Sequence, residues 1–210
     1  MVVELDTPRT RAGDHERIVT EATRLFAARG LFGASLREVA RQCRVPLSTL
    51  NTHFPKKRDL QAAVIDSAIN AIAGRIVPAL SGGGTPEQRL RRYIEVTVQQ
   101  LLSNDAQVRV LEDAYKSLER ADVAELTKGF VTNQRLVRAA QAEVIKSLNP
   151  NLSVISLERM VDVTFSIIYG LVTLHPVHER FAGADVPVAD VIVEEATFLF
   201  SRILGVSLTE

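Results

Sequence analysis

A chain of 210 residues, 46% hydrophobic and 24% charged, is long enough to bury a real core, too apolar for intrinsic disorder and too evenly charged for a membrane protein. Its formal net charge of zero hides an asymmetry, since residues 1–60 hold 11 Lys and Arg against 7 Asp and Glu, and residues 61–210 hold 14 against 18. That suits one end facing an anionic partner. One cysteine excludes an internal disulfide and, with no leader-like apolar run in MVVELDTPRT, predicts the cytoplasm. The longest uncharged stretch, residues 163–178, is 16 residues and too short to cross a bilayer, so no membrane partner is expected.

Residues 1–12 mix charges with Pro8 and read as a flexible arm. A helix is predicted over Asp14–Arg29, with Ile18, Ala22, Leu25 and Phe26 as its buried stripe. Acidic Asp14 and Glu16 sit near its positive pole and Arg29 near its negative one. Gly30 stops it, and Leu31 and Phe32 should roof the next two helices.

Ser35 with Glu38 is a capping box opening a second helix, in which Leu36, Val39, Ala40 and Cys43 fall on one face and Arg37, Glu38, Arg41 and Gln42 on the other. Val45-Pro46 interrupts it, and Pro46 is suited to open a third. There Leu50 and Phe54 point inward, while Ser48, Thr49, Asn51, Thr52 and His53 form a short polar outer face. Small hydrogen-bonding side chains on an exposed helix are what base edges and phosphates require. Phe54-Pro55 ends it, and Lys56, Lys57 and Arg58 follow.

From Lys57 a helical pattern runs through Leu60, Val64, Ala68 and Ile72 to Val77, where Pro78 and the glycines 82–84 should end it. No Gly-Lys-Ser/Thr follows, so the glycines are read as a connector and not a phosphate loop. Thr85-Pro86-Glu87-Gln88 is a second capping box, opening a helix through Tyr93, Val96, Thr97 and Leu101 to Ser103. Asp105–Glu119 reads as one or two shorter helices. Asp122–Leu148 reads as a long one with Leu126, Phe130, Val137 and Val144 inward, ended by Asn149-Pro150-Asn151. Ser156–Leu174 and Val188–Leu204 are apolar nearly all round. A helix without a wet face must be covered on both sides, which predicts burial against a second copy of the chain. The fold class is all-α.

The run Arg29-Gly30-Leu31-Phe32, the capped helix with Val39-Ala40, and Val45-Pro46-Leu47-Ser48-Thr49-Leu50-Asn51-Thr52-His53-Phe54-Pro55 with Lys57 and Leu60 resemble the TetR family of bacterial transcriptional regulators over Glu16–Leu60. Three positions depart from the family pattern: Arg44 stands where glycine is usual in the turn, Pro46 where serine is usual and Asn51 where tyrosine is usual. Arg44 implies a non-glycine residue at positive φ. Asn51 either touches the DNA backbone or reads adenine, its natural bidentate partner.

The resemblance implies an N-terminal three-helix DNA-binding domain with a helix-turn-helix, residues 12–60, continuing into a connecting helix over 57–79. A helical effector-binding and dimerisation domain, residues 61–210, would follow. It implies a homodimer through helices at about 156–175 and 188–204, with a pseudo-palindromic double-stranded operator as partner. A small-molecule effector in the C-terminal half would release it. Leu47, Ser48, Thr49, Asn51 and Thr52 are expected to set specificity, and Ser35, His53 and Lys57 to position phosphates. Arg37 and Arg44 complete the DNA-facing set, and Arg9 and Arg11 in the arm offer further phosphate contacts or simply fray. The alternatives are an activator or global regulator without effector, and a helical module that docks a protein in place of DNA.

Other residues invite sharper readings. Cys43, with no resolving cysteine, is read as packing and not as a thiol sensor. His175-Pro176-Val177-His178-Glu179 is not read as a metal site, because the proline breaks helical spacing and no third cluster is evident. Tyr93, Tyr115, Phe130, Phe165 and Tyr169 either line an effector cavity or pack as core. No catalytic constellation, metal or cofactor is expected, so the chain is not read as an enzyme.

Overall fold

Side-chain caps, left-handed turns and prolines set where the helices begin and end. The computed structural model describes residues 11–103, 105–117, 128–182 and 187–208; of residues 11, 12, 128–133 and 176–182 it describes the backbone alone. Among the described residues every regular element is an α-helix: α1 Arg11–Arg29, α2 Leu36–Gln42, α3 Leu47–His53, α4 Lys57–Ser81, α5 Pro86–Leu102, α6 Ala106–Lys116, α7 Lys128–Leu148, α8 Val154–Ala182 and α9 Val188–Leu204. The fold is all-α, as expected.

Both capping boxes form. Ser35 accepts from the Glu38 N–H and Glu38 returns a bond from the Ser35 N–H, and Thr85 and Gln88 do the same with Pro86 in the first turn. Gly30 ends α1 at φ +80 and Gly205 ends α9 at φ +69, the left-handed region that glycine enters without a Cβ penalty.

Two prolines expected to break helices lie inside them. α4 passes Pro78 and ends at Ser81. Only the last turn follows Pro78, so one backbone hydrogen bond is lost near the helix end. α8 likewise continues through Pro176 to Ala182, since the fixed φ of proline is helix-compatible and only one backbone donor is missing. α1 also begins three residues before Asp14, taking Arg11 out of the expected arm. Arg9, the start of the Asp122 helix, Leu126 and Glu119 lie outside the described residues.

The chain forms two compact units, the first gathering α1–α3, α4 as far as Asn70 and α6, the second α4 from Ala71, α5, α7 from Thr132, α8 and α9. In the first, α1 packs against α2 and α6, and α2 against α3, around Ile18, Phe26, Leu31, Val39, Leu50, Leu60, Val64 and Ile65. In the second, α5 packs against α8 and α9 around Leu80, Leu90, Tyr93, Ile94, Val144, Ile168, Ile192 and Phe200. α4 is long and apolar enough to cross a membrane by length and composition. Its apolar residues are instead covered, Leu60, Val64 and Ile65 in the first unit and Ile76 and Leu80 in the second.

Candidate nucleic-acid interface

α3 is a helix of 7 residues with two unlike sides. Leu50 is fully buried and Phe54, just past its end, nearly so, while Ser48, Asn51 and Thr52 are exposed. Burying Leu50 and Phe54 ties down the short helix, which could not persist alone in water.

The turn that leads into it is closed by Arg44 at φ 54. The Val45 N–H donates to the Ala40 carbonyl (3.0 Å) and the Arg44 N–H to the Arg41 carbonyl (3.1 Å), which satisfies the end of α2 without glycine. Positive φ at a non-glycine residue is the cost anticipated from the sequence.

The other expected DNA-facing residues divide into free and engaged groups. Arg37 and Arg44 are exposed, and Leu47, Thr49 and His53 are half-buried. The Thr52 hydroxyl donates to the Ser48 carbonyl (3.0 Å), leaving its oxygen as an acceptor. The Ser35 side chain is held in its cap, accepting from the Glu38 N–H (3.3 Å). Glu38 sits below the ordinary carboxylate value of 4.5, chiefly because it accepts from the Ser35 backbone. The His53 ring lies 6.0 Å from that of His15, and the His15 ring packs at a tilt 4.8 Å from that of Phe54, so α1 braces the C-terminal end of α3.

Lys57 opens α4, and its Nζ donates to the Phe32 carbonyl (2.7 Å). Partial burial lowers its pKa from the ordinary 10.5. The ammonium thus stands at the foot of α3 with one of its three donors used. Cys43 is buried and its thiol is pushed upward by that burial, which disfavours the reactive thiolate.

Sequence reasoning passed over the turn that fixes the angle between α1 and α2. The Leu31 N–H donates to Asp113 Oδ2 of α6, the Leu31 carbonyl accepts from Gln61 Nε2 of α4 (2.8 Å), and the Phe32 carbonyl takes Lys57. No local pattern could show these bonds.

The five aromatics considered for an effector cavity are placed separately. Tyr93 is 1% exposed and its hydroxyl accepts from Gln141 Nε2 (2.7 Å), and burial drives the phenol far above its ordinary value of 10.0. Phe165 and Tyr169 stack on each other along α8, ring centroids 5.8 Å apart, with Phe165 40% exposed. Tyr115 is 38% exposed on α6, in the first unit, and the Phe130 side chain lies outside the described residues. A cleft of about 360 Å³ in the second unit is lined by other residues: Arg75, Val96, Gln99, Gln100 and Ser103. Among the described residues no three His, Cys, Asp or Glu side chains gather as metal ligands, and the side chains of His178 and Glu179 lie outside that set.

Known proteins resemble the chain in sequence and in fold. The sequence pattern described as "Bacterial regulatory proteins, tetR family" matches residues 18–64, from mid-α1 into α4. The HTH-type transcriptional repressor KstR2 of Mycolicibacterium smegmatis is 25% identical over 113 residues, 54% of this chain and 55% of that repressor, so the match spans about half the relative's length. A transcriptional regulator of Pseudomonas aeruginosa PAO1 superposes with a TM-score of 0.75 at 13% identity, covering 97% of this chain and 95% of that one. AibR, solved with isovaleryl coenzyme A and operator DNA, superposes at 0.62 and 16% identity, covering 87% and 95%. The pattern match falls on the helices whose packing leaves the polar side of α3 exposed, and over residues 18–64 the chain is similar to the TetR family of bacterial transcriptional regulators.

Proposed function

We propose that the chain is a cytoplasmic, homodimeric repressor that grips a partly palindromic operator with one α3 per half-site and lets go on binding a small molecule. The carrying observation is α3 itself, anchored by Leu50 and Phe54 with Ser48, Asn51 and Thr52 left outward. In this reading Leu47, Ser48, Thr49, Asn51 and Thr52 meet base pairs in the major groove. Ser35, Arg37, Arg44, His53 and Lys57 lie against phosphates.

Pairing of two copies draws support from α8 and α9, which leave Val154, Ile155, Val163, Phe165, Leu174, Phe198 and Ile203 exposed, apolar side chains that a second copy would cover. In this reading the two α3 helices of the dimer meet half-sites about one helical turn of DNA apart. Effector release draws support from the cleft beside Gln100 in the second unit and from AibR, which carries both a ligand and operator DNA.

Selection of bound sequences from a random DNA pool tests the reading directly. A palindromic consensus is expected, and a pool that enriches nothing would sink it. Against the selected site, Lys57→Ala should weaken binding to all sequences alike and lower the salt slope by about 1, whereas Asn51→Ala should cost about 1–3 kcal/mol and relax one base preference. The position of the site relative to the promoter separates repression from activation.

A further inference from the structure

The backbone between α1 and α2 has almost no room to be anything but what it is. Gly30 sits at φ +80, the Gly33 N–H donates to the Gly30 carbonyl (3.1 Å), and a Cβ on Gly33 would lie 1.9 Å from the Arg29 carbonyl oxygen. Leu31, in the middle, is 0% exposed, so its N–H and carbonyl must be satisfied by protein. Gln61 supplies the donor for the carbonyl and Asp113 the acceptor for the N–H. Gln61 belongs to α4, contiguous with the helix-turn-helix. Asp113 does not, since it lies 82 residues away on α6, the helix the chain returns to the first unit after building residues 71–105 of the second.

We propose that Asp113 is a positioning residue for DNA recognition, holding the α1–α2 turn so that α2 and α3 present the operator-reading face, and that α6 thereby sets operator affinity from outside the helix-turn-helix. This rests on the assignment of α3 as the DNA-reading helix. α6 packs on α1 and buries Val108, Val110, Leu111 and Ala114, which seats the helix, and Asp113 makes the directional contact from it to the turn. Hydrophobic packing alone tolerates sliding, whereas a carboxylate oxygen on a buried N–H fixes a position. Operator affinity would follow the occupancy of that contact.

The test compares full-length Asp113→Ala and Asp113→Asn with the unmodified protein on the operator selected from the random pool, well below the melting temperature. Asparagine keeps an acceptor oxygen and alanine does not. Asp113→Ala should bind about tenfold more weakly with an unchanged salt slope, and exchange of the Leu31 amide in the free protein should quicken about tenfold, as expected for one lost buried hydrogen bond. Asp113→Asn should stay near the original on both counts. Unchanged affinity in Asp113→Ala, an Asp113→Asn as weak as Asp113→Ala, or a loss wholly explained by unfolded protein would each overturn the proposal. An unmodified protein that enriches no DNA would instead defeat the DNA-binding reading, and the Leu31 exchange would still report whether Asp113 holds the turn.

Discussion

The two units solve the same problem, keeping helices in register, with different physics. In the first, side chains reach across to backbone groups: Asp113, Gln61 and Lys57 all end on Leu31 or Phe32. In the second, an apolar core is joined by links between side chains, such as Gln141 to Tyr93 (2.7 Å) and Arg91 to Glu194 (2.7 Å), and by bonds from Arg92 of α5 to the Ala79 and Gly83 carbonyls (3.4 and 2.6 Å). Both units leave buried polar atoms without protein partners among the described residues, Arg17 Nε and Asp66 Oδ1 in the first, Gln100 Nε2 and Thr197 Oγ1 among those in the second. Directional bonds to backbone fix angles, whereas apolar burial is non-directional. In the proposed reading, a surface that matches DNA draws on the first and a core that accommodates a ligand on the second.

The largest expected effect breaks the first unit where it is tightest. Gly33→Ala places a Cβ 1.9 Å from the Arg29 carbonyl, so the turn must open, and a loss of about 3 kcal/mol or more is expected in denaturant unfolding. DNA binding should vanish with it. The corresponding probe of the second unit is milder: Tyr93→Phe removes a hydroxyl, leaves Gln141 without that acceptor and should cost about 1–3 kcal/mol. Because burial holds the folded phenol above its ordinary 10.0, its neutral form is favoured on folding. That contribution is complete below pH 10 and is lost as pH rises above it, so Tyr93→Phe should also flatten the alkaline limb of the stability curve.

A smaller effect sharpens the contrast, because both units use the same cap. Ser35→Ala and Thr85→Ala should each lower stability by about 1 kcal/mol. Only Ser35→Ala should weaken operator binding, measured on both variants side by side. If Thr85→Ala weakens it equally, the division of labour between the units is wrong. The smallest effect is on the acid side. Glu38 is held below 4.5 by its bond from the Ser35 backbone, so its contribution is present above that value and fades as pH falls through the lower folded one. Glu38→Gln should remove that acid dependence from the melting profile.

How much of this was legible depends on the range of the interaction. Ser35 with Glu38, Thr85 with Gln88, and Leu50 with Phe54 act over three or four residues, and each is seen in the structure as the spacing predicts. Arg44 belongs with them, since its positive φ follows from its place in a turn between two short helices. The ends of α9 agree with the expected Val188–Leu204. Pro78 and Pro176 misled because a proline's effect depends on the carbonyl four residues earlier and on how much helix remains, neither of which composition reveals. Asp113 was invisible for a different reason. A bond to a residue 82 positions away leaves no periodic trace, and an acidic residue on a short amphipathic helix looks like solvated surface.

That distant bond also decides how small a working fragment can be. A piece ending at Asn70 would keep the whole matched pattern, residues 18–64, yet would lack α6. It would strip the cover from one side of α1 and leave the Leu31 amide without its Asp113 acceptor. Anyone cutting this protein down to its reading head would need to carry residues 106–117 along, as a second chain or a grafted loop.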